Sequence, residues 1–181
     1  MEHTVVFIKG ENVFLRGLMP HDLDGDYVSW LNDREVCQYN NHYRFPYSAS
    51  QAENYIQRVN EGRSQLVLAV CDVQSGKHIG NIALQNIDWI NRNAEYAIIF
   101  GDTNFHGKGY AKEASNLILA HGFDELNLMR IYCGTSAENT AMQKLALAMG
   151  MVEEGRRKKA IYKHGRYIDV IEYGMVRPDC G

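Results

Sequence analysis

No window of the chain comes near the roughly 18 consecutive apolar residues that a membrane span needs. The opening Met1-Glu2-His3 lacks the basic start and apolar core of a signal peptide. A protein that stays in the cytoplasm, with no membrane partner, is the expectation. Cysteine is sparse and scattered: Cys37, Cys71, Cys133 and Cys180 form no Cys-x-x-Cys pair, which argues against a disulfide framework and against zinc. The four are expected to be reduced and structural, and no metal is expected. Excess positive charge is also missing. A formal charge of −3 and a pI near 6.2 do not supply the basic excess of a general nucleic-acid binder, so no nucleic-acid partner is expected. There is no repeat, linker or low-complexity tract. What remains is 181 residues, 45% hydrophobic and 23% charged, enough to bury a sizeable core as a single domain, 1–181.

Element signals run along the whole length. Pro20 and the aspartates after it begin a helix through Trp30, Ser48 to Asn60 forms a second, and Gln65 to Val73 reads as a strand. Gly76-Lys77 turns into the strand His78 to Asn86, and Asn91 to Asn93 turns into the strand ending at Phe100. These short connections imply a meander of antiparallel strands. Helical segments at 109–126 and 139–149 follow. Lys163-His164-Gly165-Arg166 then joins two terminal strands as a hairpin, with Gly165 supplying the positive φ of the turn.

The most informative stretch is Phe105 to Ala114. Ala94 to Phe100 has the branched and aromatic content of a strand, and Tyr110, Ala114, Leu117, Ile118 and His121 recur at helical spacing, so Gly107 and Gly109 occupy a strand-to-helix turn. A helix start offers free N–H groups and the positive end of the dipole, and residues without a bulky side chain let a phosphate approach them. Two general phosphate motifs fail here. A P-loop would need a glycine at Asp102 and a hydroxyl at Gly109, and the dinucleotide fingerprint would need a glycine at Lys112.

The turn resembles the Arg/Gln-x-x-Gly-x-Gly/Ala pyrophosphate loop of the GNAT acetyltransferases, as His106-x-x-Gly109-x-Ala111. The strand Ala94 to Phe100, the helix after it, the strand Met129 to Cys133 and the segment Asn139 to Met151 follow the family's order. Gly150-Met151-Val152-Glu153-Glu154-Gly155 is similar to the family's Gly-Phe-x-x-Glu-Gly. Val13 to Arg16 and Trp30-Leu31-Asn32-Asp33 look like the opening of the branch with ribosomal-protein N-terminal, spermidine and amino-sugar acetyltransferases. The resemblance implies an α/β (α+β) fold with a mixed, mainly antiparallel central sheet flanked by helices, and acetyl-CoA as co-substrate. It implies main-chain contacts to the pantetheine from Ile98, Ile99 and Phe100, a pyrophosphate held by His106, Gly107, Lys108, Gly109, Tyr110 and Ala111, and a pantetheine contact from Asn139, which also suits a helix N-cap. Glu95, on the strand that in the family lies against the acetyl group, is the candidate general base; its other reading is an ion pair with a neighbouring cation. Seven residues beyond Asn139, where many members carry a tyrosine that protonates the thiolate, this chain has Ala146.

The resemblance implies a small-molecule or peptide amine as acceptor. Val36 to Pro46 is rich in rings and amides, including Tyr39 and His42 as candidate substrate contacts, and such groups suit a sugar or nucleotide. A polyamine would want several carboxylates facing one groove; Asp22, Asp24 and Asp26 are more simply partners of a helix dipole. Amino sugar, nucleotide-linked, therefore ranks ahead of protein N-terminus and polyamine. A sensor that binds acetyl-CoA without turnover is the alternative of another class. Arg156 to Arg166 carries six basic residues and no acid, leaving the rest of the chain at about −9, and reads either as a solvated, edge-protecting hairpin or as a phosphate contact. Relatives that pair through edge strands make a homodimer the expectation for assembly.

Overall fold

The computed structural model describes residues 5–177, so Met1 to His3 and Cys180 lie outside the described residues. The chain order is β1 (Ile8–Lys9), β2 (Val13–Gly17), a 3-10 turn (Pro20–Asp24), α1 (Tyr27–Leu31), α2 (Ala49–Glu61), β3 (Leu66–Asp72), β4 (His78–Asp88) and β5 (Asn93–Phe100). A second 3-10 turn (Thr103–Phe105), α3 (Tyr110–Asp124), β6 (Arg130–Ser136), α4 (Thr140–Ala148), β7 (Val152–Lys163) and β8 (Arg166–Val176) complete it. The strands form one eight-stranded sheet in the order β1-β2-β3-β4-β5-β6-β8-β7. Every neighbouring pair is antiparallel except β5 and β6. The fold is therefore the mixed, mainly antiparallel α/β arrangement that the motifs implied.

Strand alternation divides the apolar residues between two cores, one on each face. On one face Ala114, Ile118, Leu119 and Phe123 of α3 and Ala146 of α4 pack with Leu15, Ile82, Leu84, Tyr96 and Ile131. On the other, Tyr27, Trp30 and Leu31 of α1 and Ala52, Ile56 and Val59 of α2 cover Val67, Ala69 and Ala83. The α2 positions fall at helical spacing, and Ile56 and Val59 each contribute about 1.5–3 kcal/mol by leaving water. Ser48 caps α2 in a reciprocal box with Gln51: the Gln51 N–H donates to Ser48 Oγ at 3.3 Å, and the Ser48 N–H to Gln51 Oε1 at 2.8 Å.

The helix expected from Pro20 through Trp30 is instead two pieces separated by Gly25 and Asp26. Within the first piece Asp22 serves two ends at once, accepting the N–H of Met19 at the start of the turn and reaching inward to the sheet. Its carboxylate takes both guanidinium nitrogens of the buried Arg16, at 2.8 and 2.5 Å, and the Met19 N–H at 2.8 Å, with His78 Nδ1 at 3.2 Å. Burial raises the Asp22 carboxyl, but these donors outweigh it and hold the group well below the usual carboxylate range. The terminal hairpin forms as expected, with His164 as well as Gly165 at positive φ (52° and 77°), the pattern of a type I′ turn. Cys37, Cys71 and Cys133 are buried free thiols, and no helix among the described residues is long and apolar enough to cross a membrane.

A depressed carboxylate contributes stability above its unfolded pKa of about 3.9, and that contribution is lost as pH falls towards the folded value. Asp22→Asn leaves Arg16 buried without its counter-charge and is expected to cost about 3–5 kcal/mol at neutral pH. Urea melts from pH 5 down to pH 3 should show the parent losing more stability than the variant. Parallel loss in both would show that the Arg16–Asp22 pair is not the source.

Candidate active site

Residues of β5 divide by face. Tyr96, Ile98 and Phe100 join the core under α3, while Ala97 and Ile99 pack towards α1 and α2. By alternation the half-buried Glu95 points to the α1–α2 face. β5 pairs with β4 from Asp88↔Asn93 to Gly80↔Phe100, but with β6 only at Asn93↔Arg130, Ala94↔Ile131 and Glu95↔Tyr132. Beyond that rung β6 continues to Ser136 against β8. The two strands are thus held by their outer partners and part from each other at Glu95.

The parting exposes main-chain groups in a defined pattern. The Gly101 N–H donates to the Ile79 carbonyl of β4 at 3.1 Å, and antiparallel pairing alternates, so Ile99 faces Asn81 of β4 while Ile98 and Phe100 turn their N–H and C=O groups into the opening. Of the three residues named for main-chain contacts, Ile98 and Phe100 thus direct peptide groups towards the opening and Ile99 directs its own to β4. His106 Nε2 lies 3.1 Å from the Phe100 carbonyl oxygen, so the histidine's ring ties the following loop back onto the strand.

At the mouth of the opening, Gly107 (φ +73°) and Gly109 (φ +86°) take left-handed conformations, and a β-carbon on either would meet nothing within 4 Å. Gly109 is the N-cap of α3 and provides no side-chain cap, leaving the first-turn N–H groups of Tyr110 and Ala111 free of side-chain acceptors. This is a cradle of donors with open space in front, which fits a pyrophosphate. Lys108 lies over the Phe105 ring at 5.6 Å, and Phe105 meets Tyr110 edge to face at 5.4 Å. Two anchors hold the helix start. Ser115 Oγ and Tyr96 Oη are 2.6 Å apart beneath it, and the Glu113 carboxylate accepts the N–H groups of Glu11, Asn12 and Val13 at 2.6, 2.8 and 3.3 Å and the Asn12 amide at 2.9 Å. A further close approach seats α1 on the end of β5: a β-carbon on Gly101 would lie 1.8 Å from Trp30 Cδ2.

Glu95 makes no ion pair among the described residues; its Oε2 accepts from the Asn86 amide at 2.9 Å. Asn86 (φ +53°) sits in a β-bulge of β4 where the register shifts between Gln85 and Asp88, and the bulge aims its side chain across at Glu95. Tyr132 occupies the same rung on the same face. Burial, and after it Glu95, raise its phenol, so Tyr132 is a protonated hydroxyl beside the carboxylate. Other acids near this face already have cations: Glu172 pairs with Arg157 and Glu154 with Arg130.

Asn139 caps α4, its Oδ1 accepting the Met142 N–H at 3.1 Å, and Ala146 is fully buried in the core, so its position presents no hydroxyl to the opening. Tyr39 and His42 stand apart from these groups, on the α1–α2 connection. Tyr39 is half-buried and His42 exposed, and the connection is fastened to the hairpin tip: Lys163 Nζ donates to the carbonyls of Cys37, Asn40 (2.5 Å) and His42 (3.4 Å). Asn86 and Tyr132 were not marked by the sequence, because a bulge and a rung register carry no local motif. Among the described residues no group of three or more His, Cys, Asp or Glu is placed to hold a metal ion.

The chain matches the family model described as "Acetyltransferase (GNAT) domain" over residues 12–152. It is 32% identical to the spermidine N(1)-acetyltransferase of Vibrio cholerae over 140 residues, covering 77% of this chain and 79% of that one. It is also 32% identical over 171 residues to an uncharacterized N-acetyltransferase p20 of Bacillus licheniformis, with 92% and 94% covered. Among solved structures, the Vibrio cholerae spermidine N-acetyltransferase in complex with CoA and spermine superposes with a TM-score of 0.82 at 30% identity, covering 91% and 95% of the two chains.

If the loop at Gly107 to Ala111 receives the pyrophosphate, Gly109→Asp should weaken acetyl-CoA binding at least about tenfold, the equivalent of about 1.4 kcal/mol. Aspartate tolerates the left-handed region, so the fold should survive while its charge faces the phosphates. Calorimetric titration with acetyl-CoA reads the outcome; unchanged affinity would remove the loop from the cofactor site.

Proposed function

Because the chain belongs to the GNAT acetyltransferase family and is thereby an acetyl-CoA-dependent N-acetyltransferase, we propose that it acetylates the primary amine of an amino sugar, carried on a nucleotide, with Glu95 as the proton acceptor. The observation that carries this reading is the Glu95 carboxylate itself: it stands where β5 and β6 part, oriented by Asn86 and without a cation on it among the described residues. A match over 12–152 and a single sheet from β1 to β7 support treating residues 1–181 as one domain.

Acetyl-CoA supplies an activated acyl thioester. The chain's own groups do the rest. N–H groups at Gly107 to Ala111 hold the pyrophosphate, and Ile98, Phe100 and Asn139 fix the pantetheine along the opening. An alkyl ammonium titrates near about 10, so the attacking nitrogen must give up a proton, and Glu95 receives it directly or through one water. With Ala146 in place of a hydroxyl, the departing thiolate depends on its own modest basicity, about 8.5, and on water; the Tyr132 phenol shares the rung of Glu95.

The wall on this face favours the sugar reading. Tyr39, His42, Tyr43 and Arg44 lie on the connection that leans on the hairpin and offer rings and cations; the acids of the same connection, Asp33 and Glu35, sit at its α1 end, where Asp33 accepts the N–H groups of Glu35 and Val36. A second reading, a polyamine acceptor, has specific support in the spermidine acetyltransferases among the relatives. Against it, Glu172 and Glu154 are already neutralised by arginines. Thiol release should be measured against nucleotide-linked amino sugars, polyamines, ribosomal-protein N-terminal peptides and aminoglycosides, with an acceptor-free blank. Turnover with spermidine and with no sugar would replace the proposal by the second reading.

With the acceptor so found, Glu95→Gln should lower kcat/KM by about 10²-fold at neutral pH, and the deficit should shrink as pH rises towards the pKa of the amine. A pH profile identical to the parent's would exclude Glu95 as base.

A further inference from the structure

The basic stretch 156–166 divides into two electrostatic populations. Along the strands four of its six cations are matched, Lys159 alone having no ion pair there among the described residues: Arg156 and Lys158 meet Asp169 at 2.8 and 3.2 Å, Arg157 meets Glu172, and Arg166 meets Glu138 at 2.9 Å. At the tip they are not. A cleft of about 380 Å³ opens between the hairpin tip and the α1–α2 connection, lined by Arg34, Tyr43, Arg44, Tyr162, Lys163 and His164. No carboxylate is among them, and no ion pair to any of the four basic side chains occurs among the described residues.

Its construction is specific. Lys163 is drawn under the loop by the carbonyls of Cys37, Asn40 and His42, which fixes a positive charge in the floor. Burial lowers its ammonium pKa, and the nearby Arg44 charge adds a smaller push the same way. Arg44 is braced by donating to the Tyr162 carbonyl at 3.0 Å and to Asn41 Oδ1 at 3.1 Å, whereas the Arg34 guanidinium makes no side-chain hydrogen bond among the described residues. Tyr43 is held at φ +58°, a left-handed conformation that strains a bulky residue and that here keeps its ring at the cleft. Like charges gathered without acids raise the free energy of the empty cleft, and a multivalent anion relieves it. Arginine forks match phosphate oxygens, and two half-exposed tyrosine rings offer stacking surfaces for a base.

We propose that this cleft binds a nucleoside diphosphate, with Arg34 and Arg44 on the phosphates and Tyr43 and Tyr162 against the nucleoside. Resting on the amino-sugar reading above, the nucleotide is the carrier of the acceptor, and Arg34 and Arg44 set acceptor specificity. The cleft lies on the α1–α2 connection and the β7–β8 tip, beyond the Ser136↔Val170 rung and hence past the end at which β6 parts from β5, so a sugar attached to the diphosphate has the opening beside it.

The test is calorimetric titration of the full chain with UDP, dTDP and inorganic pyrophosphate, each at saturating acetyl-CoA so that the cofactor's own nucleotide site is filled. The expected result is saturable binding of a nucleoside diphosphate that weakens steeply with salt and falls at least tenfold in Arg34→Glu, a change at an exposed side chain that leaves the fold intact. Absence of nucleotide binding with acetyl-CoA bound, or equal affinity in Arg34→Glu, would overturn the proposal. Pyrophosphate binding as tightly as UDP would overturn the role of the tyrosines. Acetyl-CoA affinity and thiol release, read on the same preparations, separate the two claims: their loss with nucleotide binding intact strikes the acetyltransferase mechanism, and the converse strikes the cleft alone.

Discussion

Everything at the candidate site depends on one constraint: β5 and β6 are neighbours for three rungs and then are not. Neither strand is free to choose otherwise. β5 is bound to β4 up to Phe100, and β6 is bound to β8 up to Ser136, so each follows its outer partner while the common edge opens. Main-chain groups that a continuous sheet would consume are left available at Ile98 and at the Phe100 N–H, the Phe100 carbonyl being met by His106, and a buried peptide group without a partner is costly enough that a ligand offering one is drawn in. The same parting puts Glu95 at the vertex, where its side chain faces the α1–α2 side while its strand continues along the opening. One topological event therefore sets both the opening and the position of the proposed base.

The helices make that opening durable. α3 is pinned from below by Tyr96 and Ser115 and from the side by the β1–β2 turn, so the loop before it has fixed ends. His106 shortens the loop's reach further by returning to the Phe100 carbonyl. The glycines at 107 and 109 supply the only other thing needed, backbone angles that expose N–H groups without placing side chains over them. Rigidity at the ends and bareness in the middle are complementary demands, and the sequence meets each with a different residue type.

Much of this can be read from the order of the amino acids alone. Gly107 and Gly109 between an apolar strand and a helical pattern announce the turn, and the strands 78–88, 93–100 and 130–136 follow from branched and aromatic content; the first and last simply run further than expected. What escapes such a reading are properties of pairing rather than of segments. Asp22 reads as a helix-start acid because the buried guanidinium that claims it lies on another strand. Ile99 cannot be told from Ile98 and Phe100, since which side of a strand its amides face is decided by the register with Asn81. The bulge that brings Asn86 to Glu95, and the rung that sets Tyr132 beside it, leave no local signature. The two-part character of the basic hairpin is likewise hidden: six cations in eleven residues look alike until their partners across the strands are known.

The tether at Glu113 has a wider meaning. An acid in the first turn of α3 stands within the field that is meant to attract phosphate, and a bare carboxylate there would oppose it. Here its charge is spread over three peptide amides and the Asn12 side chain, and although burial raises the group, those donors hold its pKa below the ordinary value. The carboxylate is thus spent on structure: it stitches the amino-terminal edge of the sheet to the helix, its oxygens turned to the β1–β2 turn. The start of α3 and the anchorage of β1 are in this way coupled through a single side chain about a hundred residues away in sequence from the turn it holds.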